Sequence, residues 1–430
     1  MFKTIGNAFK IPELRKKMLY TLFIIMIFRI GSRIPVPFLD PAKLGSNAVS
    51  EQSTLLGLFN IFSGGAFDYG AIFAMGITPY INSSIIMQLL AVAIPALERL
   101  QQEGEEGRKK IGQITRYLTV GLGLLQGTAY YIYLSNQGYA LSYTGFFKVF
   151  AAIVIIAAFT AGSALVMWLG EQINQNGIGN GISIILFAGI ISRLPVSVLR
   201  LYDYAKQDLQ KHLPIVIGVV IVFLMVIVFI VYMTNAERRI KIQYAKRVVG
   251  RKMYGGQSTH MPIRVNIAGV LPIIFASTIL AIPGTIIAFA RLKKGILYSI
   301  LHVFESGQPV YTILYLLFIV GFSYFYIGIQ YNPIEMANNL RNNRGAIPGI
   351  RPRQPTSDYI TGILSRVTFI GAIFLAIIAF LPILAGYIAT GLQNLALGGT
   401  SILILVGVAL ETFEAIESQM LMRHYKGFLD

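Results

Sequence analysis

Residues 214–233 read PIVIGVVIVFLMVIVFIVYM, a run without one charged side chain. A segment this long and this apolar matches the roughly 20 residues an α-helix needs to cross a hydrocarbon core. It also limits what the chain can become, because backbone in lipid has to satisfy its own hydrogen bonds. Comparable runs recur throughout. They predict ten spans at roughly 18–34, 76–95, 114–134, 149–169, 178–194, 214–233, 265–289, 310–330, 364–385 and 400–419. The fifth is read as short, starting in the Gly-rich GIGNG and ending at Pro195.

Composition agrees. The chain is 55% hydrophobic and 13% charged, against about 25% charge in soluble domains. Outer-membrane barrels alternate polar and apolar residues, whereas here the apolar residues run on, so the spans are helical. No cysteine is present, which excludes disulfides and thiolate-held metals. His212, His260, His302 and His424 are scattered without metal-site spacing, and no cofactor is expected. No cleavable signal peptide is evident, because the first apolar run continues past signal-peptide length.

The net charge of +17 is unevenly placed. Loops alternating onto the side of the N-terminus, with nearby span ends, hold 25 of the 36 Lys and Arg. The positive-inside rule therefore puts both termini in the cytoplasm. Two loops on that side exceed what orientation requires. Residues 234–264 hold eight Lys or Arg and one acid, Glu237, while residues 331–363 combine Arg341, Arg344, Arg351 and Arg353 with Pro348, Pro352 and Pro355. Both readings stand: contact with anionic lipid, or docking of a large acidic partner such as ribosomal RNA or a motor protein. In the 98–116 loop acids offset bases, which predicts an ordinary solvated connector. Arg29 lies within the first span, where it either snorkels or pairs with a partner subunit.

The segment from Phe59 to Leu90 starts badly for a span. Gly64, Gly65, Asp68 and Gly70 interrupt its first half, and Gly76 and Pro79 break the middle. It reads either as a short helix folded into a cavity followed by a true span, or as a Gly-rich loop before an ordinary helix. A repeat bears on the choice. GITPYINSS (76–84) and GVLPIIFAS (269–277) share G-x-x-P-x-I-x-x-S, and GISIILFAG (181–189) matches GTSILILVG (399–407). The pairs fall in spans 2 and 7, then 5 and 10, as a duplication of five plus five spans requires. An odd unit enters the membrane inverted the second time, and a functional cavity usually lies where such halves meet.

Ile77 and Ile81 are one helical turn apart, as are Ile182 and Leu186. The repeat sets Ile274 opposite Ile81 and Ile404 opposite Leu186. These six either pack helices together or form a hydrophobic constriction that gates by excluding water and ions.

FSGGAFDYGAIFAMGITPYINSSIIMQLL, GIGNGISIILFAGI, the AKR…GRKMYGGQSTHMPIRVN loop, AGVLPIIFAS, AIPGIRP and GGTSILILVG together resemble the SecY family of protein-conducting channels, across essentially the whole chain. The resemblance implies an all-α membrane protein of ten transmembrane helices in two pseudo-symmetric inverted halves around a central pore with a plug helix. The halves are residues 1–200 (spans 1–5) and 201–430 (spans 6–10). It implies a pore ring at Ile77, Ile81, Ile182, Leu186, Ile274 and Ile404, with Leu186 where Ile is usual. The implied plug is a short helix at about 55–73, including Phe59, Ile61, Phe62, Gly64, Gly65, Phe67, Asp68 and Tyr69. A lateral gate is implied between spans 2–3 and 7–8. Ser83, Gln88, Gln126, Asn266 and Thr278 are its candidate contacts, or else ordinary interhelical hydrogen bonds.

Docking on the basic loops is assigned by the same resemblance to Arg238, Arg239, Lys246, Arg247, Arg251, Lys252 and Arg351. Implied partners are small SecE- and SecG-like subunits, the SecA ATPase, the ribosome, signal sequences and translocating polypeptide, besides anionic lipid. The implied location is the bacterial plasma membrane. No enzyme is expected: the sequence has no zinc-protease, nucleophile-elbow or Walker A motif. The rival reading is an ion-coupled secondary transporter of a small solute, which would want mid-membrane acids. Asp68, Glu411 and Glu414 are the few candidates.

Overall fold

Pro12, Pro79, Pro95, Pro309 and Pro333 each lie in the first turn of a helix, where a missing N–H leaves no bond unmade. Asn180, Asp208 and Asn332 accept hydrogen bonds from first-turn backbone N–H groups. The computed structural model describes residues 2–40, 44, 60, 62–141, 145–244, 247–249, 252–254, 258–290, 295, 299, 301, 303–304, 308–388 and 399–426. Its helices are α1 (Phe2–Lys10), α2 (Pro12–Gly31), α3 (Thr78–Ala93), α4 (Pro95–Gln102), α5 (Glu105–Asn136), α6 (Phe146–Asn176) and α7 (Gly181–Gln207). There follow α8 (Leu209–Asn235), α9 (Leu271–Ala290), α10 (Pro309–Gln330), α11 (Pro333–Asn342), α12 (Gln354–Ile388) and α13 (Gly399–Lys426).

Ten of these, α2, α3, α5 to α10, α12 and α13, fall on the ten predicted spans. Among the described residues, α6, α7, α8, α10 and α12 are by themselves long and apolar enough to cross a membrane. The pair α3 and α4, bent by 106°, counts as a sixth if taken as one span. The chain is a multi-pass helical membrane protein.

Two local expectations change, and two loops take on regular structure not assigned from the sequence. Helix α7 does not stop at Pro195 but runs through it to Gln207. A proline removes one bond of the ladder, whereas ending the helix would leave several backbone groups unmet in lipid. The 98–116 loop is solvated, with largely exposed side chains, and α4 and the start of α5 occupy it. Residues 63–77 are a succession of turns, not a helix, because Gly64, Gly65, Gly70 and Gly76 all take positive φ. The basic 234–264 loop is β-structure.

In that loop β1 (Glu237–Tyr244) pairs antiparallel with β4 (Ser258–Arg264), and at its far end with β5 (Gly345–Ala346) from the second basic loop. The short strands β2 (Arg247–Val249) and β3 (Lys252–Tyr254) form a separate hairpin. Ile240 and Ile242 are buried while Arg239 and Lys241 are exposed, the period-two pattern of a strand with one covered face.

The apolar interior divides into clusters. One gathers residues of α8, α9, α10, α12 and α13, including Phe374, Ile319 and Leu403. A second joins α2, α6 and α7 with Ile404 and Val408 of α13. A third packs Tyr130 and Phe159 against Phe67 and the chain after α2. Under the sheet, Ile240, Ile263 and Ile347 meet Ile360 and Leu364 of α12.

Candidate pore and plug

The two halves of the first repeat have the same local geometry. Gly76 has φ +53° and Gly269 φ +60°; each stands two residues before a helix whose second residue is proline, Pro79 or Pro272. Tyr80 and Ile81 donate N–H bonds to the Ile77 carbonyl at 3.1 Å each, and Ile273 and Ile274 donate to the Val270 carbonyl at 3.1 and 3.3 Å. In the second repeat, Gly181 and Gly399 are the first residues of α7 and α13. The letter pattern thus marks one structural device used twice.

Five of the six aliphatics meet. Ile77 (1% exposed), Leu186 (4%) and Ile404 (2%) belong to one buried cluster, with Ile81 and Ile182 half-buried against it. The side chains of Ile77 and Ile182 converge on Gly170 of α6, where each lies 3.7 Å from the position a Cβ would take. Ile274 is buried as well but is not part of that cluster. Val270, one turn before it, touches the cluster instead.

The turn-rich segment covers these residues. Phe62, Ile72 and Phe73 pack into the same cluster as Ile77 and Leu186, and Phe73 stacks on Phe28 at 6.0 Å. Phe67 stacks on Tyr130 at 4.2 Å, and the Tyr130 hydroxyl donates to the Phe67 carbonyl at 2.5 Å. Asn60 donates to the Asp68 carboxylate, and Asp68 lies 3.5 Å from the Arg193 guanidinium. Gly65 closes its turn by donating to the Asn60 carbonyl at 2.9 Å. Arg33 stands over the Tyr69 ring at 4.5 Å. Phe59 and Ile61 lie outside the described residues. Arg29 has partners within the chain: it donates to the Gly64 carbonyl and to the Ser192 hydroxyl, both at 3.0 Å. Arg29 stands in the last turn of α2, and a cation beside so apolar a helix needs such acceptors.

Of the gate candidates, buried Ser83 spends its hydroxyl on its own helix, donating to the Pro79 carbonyl at 2.8 Å. Gln88 donates to Ser84 at 3.4 Å. Gln126 and Thr278 are half-buried on α5 and α9, helices that approach one another. Asn266 precedes α9 instead of lying on it. Its side-chain oxygen, with those of Thr78 and Asn82, is buried without a hydrogen bond among the described residues. Thr78 and Asn82 are not among the sequence candidates; polar residues one turn apart beside a broken helix start are the signal that marks them.

The basic residues lie in two loops that the sheet joins. Arg238 and Arg239 are exposed on β1, the latter 2.6 Å from Glu237. Arg351 is exposed in the second loop, and its carbonyl accepts from the Thr356 hydroxyl at 2.8 Å. Arg247 and Lys252 belong to the β2–β3 hairpin. Lys246 and Arg251 lie outside the described residues. The pairs Gln243–Ala346 and Tyr244–Gly345 bring the two loops together, which spacing in the sequence does not reveal.

A bundle of apolar helices that packs a turn-rich segment against a buried aliphatic cluster fits the class of helical membrane channels. The chain belongs to the SecY family, whose model matches residues 71–413. It is 43% identical over 434 residues to the protein translocase subunit SecY of Halalkalibacterium halodurans, covering all of both chains. Its fold is similar to that of a SecY channel whose plug domain is described as stabilising the closed state and maintaining a membrane seal (TM-score 0.63, 20% identity, 97% of each chain). It is also similar to Sec61 in the canine ribosome-channel complex of the endoplasmic reticulum (TM-score 0.60, 18% identity, 97% of each chain).

Proposed function

We propose that this chain is the channel-forming subunit of a protein translocase, passing unfolded polypeptides across a bacterial plasma membrane and releasing apolar segments sideways into lipid. The observation that carries this reading is the single buried cluster in which Phe62 and Phe73 of the turn-rich segment sit against Ile77, Leu186 and Ile404. That is a seal made by a plug on an aliphatic ring, and its arrangement is closed.

The chemistry suits the cargo. A translocating chain presents every type of side chain, so its conduit must avoid holding any of them. Aliphatic side chains move aside and reseal, whereas rings of charge or carbonyl would select or trap. Opening costs the plug's packing and the contact of Ile404 with the first half. A signal sequence supplies that only by binding the open gate better than the closed one, which an apolar helix does by settling between the gate and lipid. Residues 1–200 and 201–430 act as the two inverted halves, with the six aliphatics as the pore ring and residues 55–73 as the plug.

Both termini face the cytoplasm, so the sheet carrying Arg238 and Arg239, with Arg351 beside it, faces a ribosome or a motor of the SecA kind. The canine Sec61 neighbour, described in a ribosome-channel complex, supports a ribosome as partner. Small SecE- and SecG-like subunits complete the bundle, and no energy source is needed within the chain itself. The transporter alternative has little to stand on: Asp68 faces Arg193 at 3.5 Å, Glu414 faces Arg264 at 2.9 Å, and Glu411 is exposed on α13. The test is cross-linking. Cysteines placed singly at Ile81 and Ile404 in this Cys-free chain capture a stalled translocating polypeptide if the reading holds. Capture at lipid-facing positions of α8 but at neither of these sites overturns it.

A further inference from the structure

The geometry points to an arginine latch: Arg29 and Arg33, with Ser192 and Arg193 of α7, hold the plug shut, so that α7 is the element whose movement releases it. This rests on the reading of residues 55–73 as the plug, and adds what fastens it.

Three separate points of the segment are gripped by cationic side chains. Arg29 bonds the Gly64 carbonyl at 3.0 Å, and Ser192, which receives a bond from the same guanidinium, lies 3.4 Å from that carbonyl. Arg193 faces the Asp68 carboxylate at 3.5 Å, with only 15% and 13% of the two side chains exposed. Arg33 covers Tyr69. Backbone contact accompanies the charges, since a Cβ on Gly64 would lie 3.0 Å from Gly189 Cα. Ser192 in turn donates to the Gly189 carbonyl at 2.7 Å. Helix α7 therefore offers one turn, 189–193, as the seat for plug backbone, plug carbonyl and plug carboxylate together.

The same helix contributes Ile182 and Leu186 to the aliphatic cluster. Parting the ring by moving α7 outward withdraws Ser192 and Arg193 from the plug in the same motion. Removing one partner of a screened ion pair leaves the other charge uncompensated, so a single neutralisation strains the closed state alone. These are positioning residues. They touch the plug, not the cargo.

The test uses the channel reconstituted with its partner subunits in vesicles, reading anion leak in the absence of cargo. Asp68→Asn and Arg193→Gln should each raise the leak roughly tenfold, as a shift of that size in the closed-open equilibrium would produce. The exchange Asp68→Arg with Arg193→Asp should return it toward the original. A second arm places cysteines at Asp68 and Arg193 and joins them with a short cleavable bis-thiol linker. Linking should stop polypeptide transit, and cleavage should restore it. Unchanged leak in both single variants, or leak that the exchange fails to repair, overturns the latch. If the linker nevertheless blocks transit, the plug reading survives without it. Transit that continues with the linker in place overturns the plug reading and the latch together.

Discussion

Gly64 and Gly189 touch backbone to backbone: a Cβ on the first would sit 3.0 Å from the Cα of the second, and Gly64 holds φ at +66°. No residue with a side chain fits there without moving α7 or the plug. Gly64→Ala should therefore loosen the plug seat, by about 1 kcal/mol from the left-handed backbone alone and more from the collision. Anion leak from vesicles should rise while the amount of assembled protein changes little.

Helical glycines should divide by what faces them. A Cβ on Gly162 of α6 would lie 2.0 Å from the Ile72 carbonyl oxygen, whereas one on Gly121 of α5 meets nothing within 4 Å. Gly162→Ala should lower the thermal unfolding midpoint of the detergent-solubilised protein, with several degrees expected. Gly121→Ala should leave it unchanged or raise it slightly, since alanine is favoured over glycine in a helix by about 1 kcal/mol. Thermal melts of both variants side by side check the contrast.

Truncating the ring should act on the seal before it acts on the fold. Ile404→Ala removes buried methyl groups from the junction of α13 with the first half, for about 2 kcal/mol or more. Leu186→Ile conserves volume and should cost under about 1.5 kcal/mol. Leak measurements should rank Ile404→Ala well above Leu186→Ile, with the latter close to the parent. Equal leak from both would remove the ring assignment.

Docking on the basic sheet should be electrostatic. Arg351→Ala and Arg238→Ala each delete an exposed cation and should weaken ribosome binding roughly tenfold if each makes one charge-assisted contact. Binding should fall steeply with added salt, less steeply in the variants. Co-sedimentation across a salt series measures both effects.

Much of this arrangement is legible in the letters. The ten spans follow from apolar runs, and G-x-x-P marks the same entry into α3 and α9 because glycine alone takes the positive φ that precedes the proline-opened turn easily. The aliphatic cluster follows from one-turn spacing plus the repeat, except for Ile274, whose surroundings depend on how α9 packs. The sheet is legible only in the short alternation of Arg239, Ile240, Lys241 and Ile242, and the partner strands lie too far along the chain for that pattern to name them. Pro195 misled for a physical reason: the rule that proline ends helices was learned in water, where freed carbonyls find solvent. Arg29 was noticed as anomalous, but its partners lie at Gly64 and Ser192, and no local pattern connects residues so far apart in sequence.

Strand β1 is held on one edge by β4 and on the other by β5, so loops separated by two membrane helices form a single plate. From that plate hang α8, entering β1; α9, following β4; and α12, following β5. Whatever grips either loop therefore has three shafts in hand. A modest tilt of the plate would swing them in concert, with no need for the visitor to reach into the bilayer at all.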